Sequence, residues 1–133
     1  MIAITWAAKN GATVFNSRRC SKDKAVIEDI ISCFGESIKV TEFSKELFIN
    51  TDISVISSLD ELNENDIFFF EDIPFSLISE KVDTLIVYRW DRVYPLGKAL
   101  EIHKNFKLIS TEQISGNSHD VIIKEVYKNE EIQ

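Results

Sequence analysis

Two histidines, His103 and His119, and two cysteines, Cys20 and Cys33, are present among the 133 residues. A multi-histidine zinc hydrolase needs more imidazoles than that, and neither an HxHxDH nor an HExxH run occurs. The GxGxxG, GxxxxGKS/T and GxSxG signatures are missing as well, and four glycines leave little backbone for a phosphate cradle. Metal-independent chemistry on a phosphodiester asks for less: one histidine to move a proton and cations to hold the anion. Three stretches supply those residue types. They are Asn16, Arg18 and Arg19; Arg89, Arg92 and Tyr94; and Ser118, His119 and Asp120. If the strand ends that carry them converge, Arg18, Arg92 and His119 line one cleft with the hydroxyls of Ser118 and Tyr94. Such a cleft suits RNA or a nucleotide. In the plainer alternative, the same polar residues cap strand ends and tie the N-terminal segment to Trp90, Asp91 and Arg92. Neither reading calls for a cofactor or a metal.

The elements that must position these residues follow from hydrophobic pattern. Ile2 to Ala7 is an apolar, β-type run that predicts a buried strand, and Asn10-Gly11 suits a tight turn back into Thr13-Val14-Phe15. Ser21 is placed to cap a helix running to Phe34. Ile27, Ile30, Ile31 and Phe34 repeat at helical spacing, and Gly35 supplies the stop. Brief strands are expected at Ile38–Thr41 and Ile53–Ile56, a short helix or irregular turn at Glu42–Phe48, and one helical turn at Leu59–Asn63 capped by Ser57 or Ser58. Ile67 to Phe70 is too short for a helix and too apolar for an edge, hence a central strand. Pro74 opens a short helix over Phe75–Ser79. Thr84 to Trp90 is a second strong strand. Phe106 to Ser110 reads as a strand, and 120–128 as either helix or strand, with a hairpin against 106–112 favoured. The whole is an α/β arrangement: one layered domain over 1–133, with a mixed sheet flanked by helices and antiparallel hairpins at both ends.

No run approaches the ~18 apolar residues of a membrane span, and no basic leader precedes the first apolar stretch, so a cytoplasmic protein without membrane contact is expected. The two cysteines match neither a metal nor a CxxC spacing. Cys33 is expected on the buried side of its helix. Cys20 follows Arg18 and Arg19, cations that would lower a thiol pKa, unless it is a loop thiol of no consequence.

Charge is the other informative feature. The formal net charge is −7, and nine acids between Asp52 and Asp83 face a single base, Lys81, leaving fourteen bases and thirteen acids elsewhere. That balance disfavours direct, sequence-independent nucleic-acid binding. An acidic stretch serves solubility, or it serves docking to a basic partner through complementary potential. On the second reading Asp60, Glu61, Glu64, Asp66, Glu71 and Asp72 are contacts, and Phe75 is an apolar anchor at the patch centre.

Four segments also carry a resemblance. Phe15 to Asp23 (FNSRRCSKD), Phe69 to Asp72, Tyr88 to Pro95 (YRWDRVYP) and Gly116 to His119 with Glu125 and Tyr127 are similar to a set of short bacterial proteins sharing FNxRRxSxD, YRWxRxYP and GxSH patterns. Some of these are labelled ribonuclease Z, whose metal-binding histidines this chain lacks. Cys20 stands where the pattern has a polar residue. In kind, a small acidic α/β chain without catalytic signatures also resembles the immunity proteins of contact-dependent growth inhibition. That likeness implies a non-enzymatic inhibitor that binds a cognate toxin, a basic nuclease, through its acidic face. The alternative is the small metal-independent enzyme acting through Arg18, Arg92 and His119.

Overall fold

The computed structural model describes residues 1–35, 37–49 and 51–131. Strands β1 (Ile2–Ala7), β4 (Ile38–Thr41), β5 (Ser54–Ile56), β6 (Ile67–Phe69), β7 (Thr84–Trp90), β9 (Phe106–Ile114) and β10 (Ile122–Asn129) form one sheet in the order β5-β4-β6-β1-β7-β10-β9. The first five run parallel, and β10 lies antiparallel to both β7 and β9. A smaller antiparallel sheet joins β2 (Ala12–Phe15), β3 (Arg18–Arg19) and β8 (Lys98–Ala99) in the order β3-β2-β8.

Alternation along β1 divides the core. Ile4, Trp6 and Ala8 face one layer with helix α1 (Lys24–Phe34), whereas Ala3 and Ala7 face the other with Phe68, Phe70, Phe75 and Ile78. A central strand covered on both faces has to be apolar throughout, which is why Ile2–Ala7 and Ile67–Phe70 carry no charge. The expected strands and the terminal hairpin 106–114/122–129 form, and 120–128 is strand rather than helix. β9 is an outer strand of the sheet, opposite β5, and seven of its nine residues are exposed.

Several local expectations change. After the Ala8–Ala12 turn, β2 leaves β1 for the second sheet and makes its hairpin with β3. Asn16 and Ser17 both take positive φ (50° and 63°), the two-residue turn whose twist fits a hairpin. Helix α1 is capped by Asp23 rather than Ser21, its carboxylate accepting the Ala25 N–H at 2.9 Å. Gly35 closes the helix with φ +64° and an N–H bonded to the Ile31 carbonyl at 2.7 Å. Cys33 is exposed beside Lys124, because the inward stripe continues through Ile31 and Phe34 instead. The flanking segments Glu42–Phe48, Leu59–Glu61, Phe75–Leu77 and Ser79–Lys81 are 3₁₀ turns. Among the described residues, no helix is long and apolar enough to cross a membrane.

Candidate functional site

In open parallel sheets ligands sit beyond the carboxyl ends of the strands, where successive connections leave in opposite directions. Here β1 sends the chain to β4 on one side, and β6 sends it past β1 to β7 on the other. At that end of the sheet two buried polar networks meet.

The first is built on Glu71, immediately after β6 and only 1% exposed. Its carboxylate accepts from Trp6 Nε1 (2.8 Å), Arg19 Nε (3.0 Å), Arg19 Nη2 (3.1 Å) and Ser44 Oγ (2.6 Å). Arg19 also pairs with Glu46 and donates to the Phe43 carbonyl. Burial opposes the Arg19 charge, but the two carboxylates outweigh it and hold the guanidinium protonated more firmly than usual.

The second is built on Asp23. Its Oδ2 accepts the backbone N–H groups of Ser118 (2.7 Å), Asn117 (3.0 Å) and His119 (3.0 Å), and Oδ1 accepts Asn117 (2.8 Å) and Ala25. His119 Nδ1 lies 3.0 Å from the same Oδ2, and its Nε2 lies 2.9 Å from Ser21 Oγ. An ionised carboxylate only accepts, so Nδ1 carries the proton, and in the neutral imidazole Nε2 is left to accept from the serine hydroxyl. The imidazole is stacked on Trp90, with ring centres 4.4 Å apart and planes at 10°. Gly116 permits the loop to close: a Cβ there would lie 2.1 Å from the His119 carbonyl and 2.8 Å from Asp23 Oδ2.

Desolvation alone would raise the Asp23 pKa. The N–H donors of Asn117, Ala25 and Ser118, with His119, outweigh it and hold the carboxyl below its ordinary value. A depressed folded-state pKa adds stability above the unfolded value, near 3.9, and that stability is lost as pH falls through the folded value. Below about pH 4 the thermal midpoint is therefore expected to fall more steeply in this protein than in Asp23→Asn. Equal slopes in scanning calorimetry between pH 5 and pH 2 would remove this role from Asp23.

Two hollows flank the Asp23 network. The larger, about 410 Å³, lies between α1 and the 42–48 turn, with Trp6, Ile27, Ile31, Leu47 and Ile49 as apolar wall and Lys22, Asp23 and Ser118 at its polar side. The smaller, about 380 Å³, is lined by Arg18, Arg19, Ser21, Lys22, Phe43 and Glu46. Lys22 and Glu46 belong to both. Arg18 and Lys22 form no ion pair among the described residues.

Of the three residues expected to line one cleft, His119 and Arg18 come to the same place through Ser21. Arg92 does not. It is exposed after β7, and its carbonyl accepts the Lys9 N–H. Tyr94 and Ser118 engage through their backbone, to Asn10 and Asp23. His103 is exposed, with Nδ1 accepting the Asn105 N–H. Burial raises the Cys20 pKa, contrary to the lowering expected beside two arginines.

The acidic stretch is not one docking face. Glu71 is internal, and Phe75, 3% exposed, is stacked in the core against Phe70. Asp66 pairs with Lys39 at 2.8 Å and accepts the Asn63 N–H. Glu61 closes a capping box on Ser58, and Asp72 accepts from Thr41. That leaves the exposed side chains of Asp60 and Glu64, which hold no such contact among the described residues.

The architecture defines a doubly wound α/β fold ending in an antiparallel hairpin. More particularly, it is the fold of a dihydrofolate reductase. A solved Enterococcus faecalis dihydrofolate reductase, complexed with NADP(H) and RAB-propyl, superposes with a TM-score of 0.69 over 96% of this chain and 95% of that one, at 7% identity. No family model matches the chain, and no curated protein does. The likeness corrects the inhibitor reading: nearly the whole chain takes the fold of a dihydrofolate reductase, and Glu71, Asp66 and Phe75, meant to grip a basic toxin, hold that fold together.

The residues present do not fit a dinucleotide. A pyrophosphate needs glycine-lined backbone at a helix N-terminus. Among the described residues the one α-helix opens at α1, where the Asp23 carboxylate already occupies the Ala25 N–H. β7 runs into the exposed 91–93 segment and then β8, without a helix to receive phosphate.

Proposed function

We propose that this protein is a small metal-independent enzyme that acts on a mononucleotide held across the two hollows. The observation that carries the reading is the chain Asp23–His119–Ser21, which ends in a serine hydroxyl bordering a cationic hollow, next to an apolar cleft at the carboxyl end of the sheet. Recognition follows from the linings. A heterocyclic base suits the apolar wall of Ile27, Ile31, Leu47 and Ile49, and its phosphate suits Arg18 and Lys22. Volumes near 400 Å³ fall in the range of roughly 300–1,000 Å³ typical of small-molecule sites. The fold likeness supports an enzyme rather than a passive module, and this chain's own residues supply the ligand class.

Titration of tryptophan fluorescence with AMP tests the reading, because Trp6 borders the larger hollow. AMP is expected to change the signal saturably, and Lys22→Glu to weaken binding at least tenfold, the loss of about 1.4 kcal/mol. NADP(H) is expected to bind no better than AMP. Silence from purine and pyrimidine mononucleotides up to about 10 mM, a level that reports even binding worth roughly 3 kcal/mol, would refute the reading.

A further inference from the structure

We propose that Ser21 is the nucleophile of this site, accepting the phosphoryl group of a nucleotide phosphoester with His119 as its base. The inference rests on the nucleotide reading above and adds a covalent step to it.

Three features of the Asp23 network go beyond what a cap requires. Capping α1 and fastening the 117–119 backbone needs only the carboxylate and its N–H donors. The imidazole is nevertheless present, and both of its nitrogens are committed in series, carboxylate to Nδ1 and Nε2 to hydroxyl. The ring is also clamped against Trp90, so its orientation is fixed before any ligand arrives. A buried carboxylate, an oriented imidazole and a serine hydroxyl at 3.0 Å and 2.9 Å form the arrangement that raises serine nucleophilicity wherever it occurs. Finally, burial falls along the chain. Asp23 and His119 are inside, whereas Ser21 is half-buried and borders the hollow containing Arg18 and Lys22. The hydroxyl therefore ends beside the Arg18 and Lys22 cations, where an anion would sit.

The chemistry balances with these groups alone. His119 Nε2 takes the Ser21 hydroxyl proton as Oγ bonds to phosphorus and the bond from phosphorus to the leaving oxygen breaks. The proton on Nε2 then passes to that leaving oxygen, freeing an alcohol. Water, losing a proton to Nε2, attacks the phosphoserine; the phosphorus–Oγ bond breaks, and Ser21 recovers its proton from His119. Asp23 acts throughout as a positioning residue, holding Nδ1–H and compensating the imidazolium. Arg18 and Lys22 balance the charge that gathers on the phosphoryl oxygens.

The probes are diisopropyl fluorophosphate and bis(p-nitrophenyl) phosphate. Intact-mass and peptide analysis are expected to find one diisopropylphosphoryl group on Ser21, and a burst of p-nitrophenolate approaching one equivalent per chain. Ser21→Ala should abolish adduct and burst while changing AMP affinity less than threefold. Ser21→Cys, which keeps the fold and a nucleophile, should restore a burst. No adduct at Ser21 with AMP binding intact would overturn this inference alone. Absent AMP binding would overturn the nucleotide reading beneath it. An adduct that persists at another residue in Ser21→Ala would also exclude Ser21 as the nucleophile.

Discussion

Replacing Glu71 by alanine is expected to destabilise the protein by about 3–5 kcal/mol, the usual cost of leaving one member of a buried ion pair without its partner. The substitution strands the Arg19 guanidinium, 13% exposed at its side chain, and removes the acceptor of the Trp6 indole N–H and the Ser44 hydroxyl. A domain of this size holds roughly 5–15 kcal/mol in total, so the loss is at least about a fifth of its stability and at most all of it. Urea unfolding followed by tryptophan fluorescence should show the midpoint falling by roughly 2 M. The pair Arg19→Met with Glu71→Leu should recover much of the loss, because apolar packing replaces two desolvated charges. A shift under about 1 kcal/mol in Glu71→Ala would mean that water or Glu46 already satisfies Arg19.

Asp23→Ala is the second large effect, again about 3–5 kcal/mol, and it has a different signature. One carboxylate satisfies backbone N–H groups from both ends of the chain, Ala25 on α1 and 117–119 in the β9–β10 connection. Losing it frees the loop, and with the loop goes the stack of His119 on Trp90. Near-ultraviolet circular dichroism from the paired tryptophans, whose ring centres lie 5.3 Å apart, should collapse at temperatures where far-ultraviolet signal persists. Asp23→Asn should fall between, since its amide donates where the carboxylate accepted. Coincident loss of both signals at an unchanged midpoint would contradict this account.

Much of the fold was legible because its strands announce themselves locally. Ile67–Phe69 is a β-rich run whose burial removes every charge, Thr84–Trp90 is another whose one charge, Arg89, is paired with Glu125, and α1 carries a plain 3.6-residue stripe. Cap identity and sheet membership were not, because each depends on distant partners. Ser21 and Asp23 are equally good caps by residue type, and what selects Asp23 is a loop almost a hundred residues away. The site was half legible. His119 and Arg18, singled out by residue type, both adjoin Ser21, but Arg92 was grouped with them only by its neighbours in sequence. Glu71 was misread as a surface contact through its company of acids. The usable signal was its other neighbour: a carboxylate directly after Ile67–Phe70, on an interior strand, has to be buried and therefore has to meet a cation.

The sheet order also fixes a schedule. β1 precedes every other strand of this sheet in the chain, yet it lies between a strand beginning at Ile67 and another beginning at Thr84. At typical synthesis rates of about 5–20 residues per second, it waits roughly 4–16 s for its second neighbour. Until β6 follows, an uncharged ribbon has both hydrogen-bonding edges open, one edge stays open until β7 follows, and its pairing is among the slowest kinds to close. His119 emerges later still. The apolar β1 ribbon is thus open to mispairing early, and the Asp23 network closes only after the 117–119 loop has followed it out.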